Sequence, residues 1–210
     1  MLALLSRPIK ELTMIVLVSG WSKPDFLWGT FERFFARRGY ETVRASYPRR
    51  GLAPIQYSAK EVLKTLEEAK LSSDHVTLVG HSMGGLIGRW LICRGGAEDL
   101  VDSYISLGTP HKGTYLARFA PFSESARQMA SNSGFINRLC QEEWPDSIPA
   151  LGIQAQYEEL VFPRCNAKID FGENHIIPGA THGSLITNKL SLEVMYRWLQ
   201  KKTLAEYTSS

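Results

Sequence analysis

A chain of 210 residues with 44% hydrophobic and 21% charged residues has the length and balance of one globular domain and is short for two. Its net charge of +3 is small and its basic residues are scattered, as in Arg37-Arg38 and Arg49-Arg50, which argues against a nucleic-acid partner. No apolar run approaches the roughly 20 residues of a membrane span, and the cysteines Cys93, Cys140 and Cys165 lack metal-ligand or Cys-x-x-Cys spacing, so neither a metal nor a cofactor is expected.

Met1 to Pro8 lacks the basic start and long apolar core of a secretory signal, so the cytoplasm is the default location, with secretion left open for a chain already processed. Cys93 reads as core. Cys140 and Cys165 could bridge an inserted segment to a loop, but reduced thiols are the expectation while the compartment is open.

In chain order, Met14 to Val18 is a continuous apolar, β-branched run ended by Ser19-Gly20, the pattern of a strand buried on both faces. Trp28 to Arg38 follows as a helix with Trp28, Phe31, Phe34 and Phe35 at core spacing, stopped by Gly39. Thr42 to Ala45 is a second strand. Ser58 to Lys70 is a helix with a capping box of Ser58 and Glu61, then His75 to Gly80 is a strand and Leu86 to Arg94 a helix stopped by Gly95-Gly96. Val101 to Leu107 is the fourth strand. This alternation predicts a mostly parallel sheet covered by helices on both faces.

Residues 111–147 break the rhythm, and a structureless loop of that length is improbable in a compact domain. Short amphipathic pieces around Tyr115 to Phe119 and, after a Ser133 cap, Phe135 to Leu139 predict an inserted helical cap or lid. Ile148 to Ala155 and Asn174 to Pro178 complete about six strands, and Leu190 to Lys201 closes the single domain as a helix before a frayed tail from Tyr207 to Ser210.

The chemistry centres on Gly80-His81-Ser82-Met83-Gly84, set between a buried strand and a helix. Gly-x-Ser-x-Gly at a sharp strand-to-helix turn lifts a serine hydroxyl clear of the backbone and puts the next N–H at a helix N-terminus. In an open parallel sheet, functional residues gather beyond the carboxyl ends of the strands. Ser82 there needs a base, and histidine is the side chain suited to it. His75 and His175 lie at the wrong edge, His81 reads as a structural residue within the turn, and His111 sits on the floor of the cap. His182, on the glycine-rich loop after the last strand, is the expected base. Glu158 follows the fifth strand most directly and is the expected acid, with Glu159 its near rival and Asp170 and Glu173 in solvated turns.

The runs Gly80 to Gly85, Leu107-Gly108-Thr109-Pro110-His111-Lys112-Gly113-Thr114 and Thr181-His182-Gly183-Ser184-Leu185 resemble bacterial lipases of the α/β-hydrolase superfamily across nearly the whole chain. The resemblance implies a minimal α/β-hydrolase fold and the order serine, acid, histidine, which Ser82, Glu158 and His182 obey. It implies hydrolysis of acyl or lipid esters through an acyl-enzyme, with backbone N–H groups of Trp21 and Met83 as the oxyanion hole. Two departures stand out: Ser19-Gly20-Trp21 replaces the family's His-Gly-aromatic loop, and Glu158 stands where Asp is usual. Phe119, Phe122, Phe135, Ile136 and Trp144 in the insert suggest an apolar acyl pocket and transient contact with a lipid interface, or else they pack the insert onto the domain. An acyltransferase or phospholipase with the same triad, and a non-catalytic binding protein on the same fold, are the alternatives.

Overall fold

The computed structural model of the chain describes residues 13–21 and 25–209; the expectations on Met1 to Pro8 and on Ser210 lie outside them. Six strands, β1 (Thr13–Val18), β2 (Glu41–Ala45), β3 (His75–His81), β4 (Ser103–Leu107), β5 (Ala150–Tyr157) and β6 (Glu173–Thr181), form one sheet in the order β2-β1-β3-β4-β5-β6. Every pair is parallel. The apolar runs form the central strands because a parallel sheet covered on both faces has no polar side to satisfy.

Alternate side chains of β1 enter two separate cores. Val16 and Val18 join α2 (Ile55–Ser72) and α3 (Met83–Arg94), while Ile15 and Leu17 join α1 (Gly29–Ala36) and α6 (Lys189–Ser209). Of the aromatics read after the first strand, Trp28, Phe31 and Phe35 are fully buried and Phe34 is partly buried against them. The first turn of that segment, Asp25–Trp28, is a 3-10 helix, and the closing helix runs through Ser209 where a frayed end is predicted.

The start of α2 differs from expectation. Ser58 and Glu61 do not cap it: the helix begins at Ile55, after Pro54, and Ser58 is wholly buried inside it. Pro54 pre-sets the chain for helix entry, and the Ile55 N–H is satisfied by Gln128 Oε1 at 2.7 Å, a partner 73 residues away.

The insert does contain helices, α4 (Glu124–Met129) and α5 (Gly134–Gln141), and Ser133 caps α5 by accepting from the Ile136 N–H at 3.1 Å. Its second half is part of the main core rather than a detached lid. Phe135, Ile136 and Leu139 join the cluster on the α2–α3 face, each worth about 1.5–3 kcal/mol of burial. Only the first half, a 3-10 turn over Tyr115–Phe119 and the run to Phe122, keeps large apolar side chains exposed.

Candidate active site

The end of β3 makes a turn that few residues tolerate. Ser82 has φ 54° and ψ −121°, a positive φ that costs a non-glycine residue about 1–3 kcal/mol. Two main-chain bonds hold it there, from the Ser82 N–H to Leu107 O at 2.8 Å and from the Gly85 N–H to Ser82 O at 3.1 Å. The flanking glycines are required by space: a Cβ on Gly80 would lie 2.4 Å from Gly85 N, and one on Gly84 would lie 2.2 Å from Val18 O. Strand, turn and helix therefore close on one another, and Ser82 is partly buried in the turn.

The register of the last two strands brings Glu158 and His182 together. Tyr157 of β5 pairs with Thr181 of β6, so the next residue on each chain, Glu158 and His182, leaves the sheet side by side. His182 Nδ1 lies 2.7 Å from Glu158 Oε1, with both side chains withdrawn from solvent. The same oxygen accepts the N–H groups of Leu160 and Val161 at 3.0 and 3.1 Å. With that oxygen as acceptor Nδ1 carries the hydrogen, and in the neutral imidazole this tautomer puts the lone pair on Nε2. His182 Nε2 makes no hydrogen bond, a state suited to receiving a proton.

Both glutamates weighed in the sequence serve His182, in different ways. Glu158 engages the ring, whereas Glu159 Oε2 accepts the main-chain N–H of His182 at 3.0 Å. Asp170 pairs with Lys112 at 2.9 Å and Glu173 accepts from Trp198 Nε1 at 2.9 Å, so both have structural partners.

Three contacts tie this pair to Ser82. Leu107, which accepts the Ser82 N–H, is followed by Gly108 at φ +55°, and a Cβ there would lie 3.0 Å from His182 Nδ1 and 3.2 Å from Glu158 Oε2. Gly108 thus faces Glu158 and His182 with no side chain to intrude. His81, the residue before Ser82, sets its ring at 58° to that of His182 with centroids 4.8 Å apart and donates from Nε2 to the His182 carbonyl at 3.1 Å. This contact crosses 101 positions, and nothing local in the sequence announces it.

The loop after β1 abuts Ser82. A Cβ on Gly20 would lie 3.0 Å from Ser82 Cβ. Ser19, in the place of the usual histidine, accepts Trp28 Nε1 at 2.9 Å through its hydroxyl, and Tyr47 donates its hydroxyl to Ser19 O at 2.6 Å. Trp21 Nε1 donates to Ser123 Oγ of the insert at 3.1 Å. Side chains thus brace the loop at each of its ends, and Tyr47 and Trp28 were not legible in that role. Met83 opens α3, where unpaired N–H groups and the helix dipole favour negative charge.

The insert aromatics divide. Phe122 stands 6.5 Å from Trp21, ring to ring, and is 75% exposed; Phe119 is 76% exposed. Phe135 is 5% exposed and packs into the α2–α3 cluster, the packing alternative for the insert aromatics. Thr114 fastens the exposed half to the acid loop, accepting the Phe162 N–H at 3.0 Å and donating to Leu160 O at 3.0 Å. Leu160 and Phe162 add to the same apolar rim.

His111, the rival base, is also buried, but its Nε2 is bonded to Ser106 Oγ at 3.0 Å. Burial first, then the cations of Arg89 and Lys112, holds it well below the ordinary histidine range. His75 and His175 lie 3.9 Å from Asp102 and Glu173, at the amino ends of β3 and β6. All three cysteines are free thiols, so no bridge joins Cys140 to Cys165. Among the described residues no three His, Cys, Asp or Glu side chains gather as a metal site requires, and no helix is long and apolar enough to cross a membrane.

Among known structures, Aspergillus fumigatus lipase B superposes with a TM-score of 0.76 at 20% identity over 86% of this chain and 50% of that one. The chain therefore spans about half the length of that lipase. A mature Bacillus licheniformis lipase gives a TM-score of 0.76 at 18% identity, covering 92% of this chain and 94% of that one. A metagenomic carboxyl esterase gives 0.74 at 15% identity, covering 94% and 80%. At these identities the likeness establishes the α/β-hydrolase fold. No curated protein sequence is similar enough to count as a match. The family described as palmitoyl protein thioesterase matches residues 43–159, more than half of the chain, from β2 through Glu158 and Glu159. The chain belongs to the palmitoyl protein thioesterase family.

Proposed function

We propose that the chain is a serine acyl hydrolase in which Ser82 is the nucleophile, His182 the base and then the acid, and Glu158 the carboxylate that orients His182. The observation that carries this reading is the buried 2.7 Å bond from His182 Nδ1 to Glu158 Oε1, which leaves Nε2 as the proton acceptor. Ser82 Oγ bonds to the acyl carbon as its proton passes to Nε2, and the former carbonyl oxygen takes up the negative charge. Main-chain N–H groups of Trp21 and Met83 receive that charge, each worth about 3–4 kcal/mol in the transition state. Collapse breaks the bond to the leaving sulfur or oxygen, which takes the proton from Nε2. Water then attacks the acyl-enzyme by the same route, releasing the free acid and restoring Ser82.

The family points to a fatty acyl thioester carried on a protein, and the lipase neighbours to oxygen esters. An apolar acyl group is favoured in either case by the exposed rim of Tyr115, Leu116, Phe119, Phe122, Leu160 and Phe162. A rim of that kind also suits transient contact with a lipid surface, since exposed apolar patches mark interaction sites. The test is kcat/KM for matched S-acyl and O-acyl substrates from butyryl to palmitoyl, with Ser82→Ala as control. Expected are rates that rise with acyl length, a preference for the thioester and loss of turnover in Ser82→Ala. Turnover by Ser82→Ala equal to the parent would overturn the mechanism, and a flat chain-length series would overturn the substrate class.

A further inference from the structure

His81 lies between the nucleophile and the base, and its geometry is unusually determinate. A carbonyl oxygen only accepts, so the 3.1 Å bond from His81 Nε2 to His182 O requires the hydrogen on Nε2. The ring is fully buried and leans on the His182 ring at 58°, with centroids 4.8 Å apart. His182 is therefore gripped at three points besides its bond to Glu158: Glu159 Oε2 takes its main-chain N–H, His81 Nε2 holds its carbonyl, and the tilted His81 ring rests against its imidazole.

This grip bears on catalysis because His182 sits on a loop, just before a short 3-10 turn over Gly183–Ile186. A loop main chain is free to rotate unless both its donor and acceptor are held, and rotation swings the imidazole away from Ser82. His81 is joined directly to Ser82 in the chain, so the bond it makes transmits the position of the strained turn to the base. Loss of that link costs alignment of reacting atoms, to which catalytic rates are steeply sensitive.

We propose that His81 is a positioning residue: its Nε2–H, bonded to the His182 carbonyl, registers the base against the nucleophile. The proposal rests on the base role of His182 stated above. It specifies which nitrogen acts, and that makes it separable from a general packing role. A glutamine at position 81 carries its amide nitrogen where histidine carries Nε2, whereas an asparagine carries its amide nitrogen where histidine carries Nδ1.

The test compares His81→Gln, His81→Asn and His81→Phe by steady-state hydrolysis of a soluble acyl ester, with thermal unfolding recorded for each. His81→Gln is expected to keep kcat within about threefold of the parent, while His81→Asn and His81→Phe lose about 10- to 100-fold in kcat with KM unchanged. Equal kcat in Gln, Asn and Phe variants, or a loss carried in KM, overturns the proposal. Should the Asn and Phe variants unfold, nitrogen-15 NMR of the parent side chains decides without turnover: His81 protonated at Nε2 is the expected result, and protonation at Nδ1 alone overturns it. Failure of the underlying reading is distinguished by His182→Ala: if that variant hydrolyses like the parent, the base assignment falls, whatever His81 does.

Discussion

Two histidines of this chain are buried to the same extent at the same edge of the sheet, and they are equipped for opposite ends. His182 follows β6 and has a carboxylate on Nδ1 and no partner on Nε2. His111 follows β4, and its Nε2 is bonded to Ser106 while the buried Arg89 donates to its carbonyl at 3.4 Å and to Leu139 O at 3.0 Å. A carboxylate neighbour stabilises an imidazolium; a guanidinium neighbour opposes it. Arg89, with its face over Phe171, ties α3 to α5 and to the start of the insert, so His111 belongs to the joint between insert and core. Burial and position alone do not make a base. What differs is the neighbouring charge, a carboxylate on the ring of His182 and the guanidinium of Arg89 beside His111.

The sharpest way to break this contrast is to exchange the losses. His182→Ala is expected to lower kcat for ester hydrolysis by about 10⁴-fold or more, and His111→Gln to leave it within about threefold, both read by initial rates on a soluble ester. Comparable losses in the two variants would erase the distinction. A finer separation concerns the adjacent acids. Glu158→Gln removes the charge beside Nδ1 and should cost about 10²- to 10⁴-fold in kcat, against about tenfold or less for Glu159→Gln, which removes only the acceptor of a main-chain N–H.

Stability should separate the histidines in the other direction. His111 binds its proton less readily folded than unfolded, because burial and then Arg89 and Lys112 lower its affinity from the reference 6.5. Below about pH 6.5 the unfolded chain takes up a proton that the folded chain refuses, so stability falls as pH falls, by up to about 1.4 kcal/mol per pH unit. Denaturant midpoints measured from pH 7.5 to 5 should slope more steeply in the parent than in His111→Gln. The smallest effect is on thiols. The burial that affects His111 also pushes Cys93 up to about 11, while Cys140 and Cys165 are exposed. A thiol reagent at pH 7 should modify Cys140 and Cys165 rapidly and Cys93 only on unfolding, as followed by peptide mass mapping.

Much of this contrast was legible in the chain. The nucleophile turn was readable because its glycines answer to space within a few residues, between Gly80, Gly84 and the backbones they touch. The meeting of His182 with Glu158 was readable because each follows a strand directly, and strand ends converge in a parallel sheet. What escaped depends on partners far along the chain. Ile55 begins α2 because Gln128 reaches it from the insert, so the local Ser58 and Glu61 pattern misled. Phe135 has the spacing of an amphipathic face, and that spacing does not tell a core face from a pocket wall. His81 read as a structural residue because its bond to His182 spans 101 positions. The choice between Glu158 and Glu159 resolved into two roles, one on the ring and one on the backbone, which adjacent residues pointing apart can fill together.

The account stands most directly on Ser82 being activated by His182. Incubation of the folded chain with a fluorophosphonate ester, followed by peptide mass mapping, measures this without choosing a substrate. A single adduct on Ser82 in the parent, slowed by about 10³-fold or more in His182→Ala, is the predicted result. No adduct on Ser82, or labelling of His182→Ala at the parental rate, would contradict it.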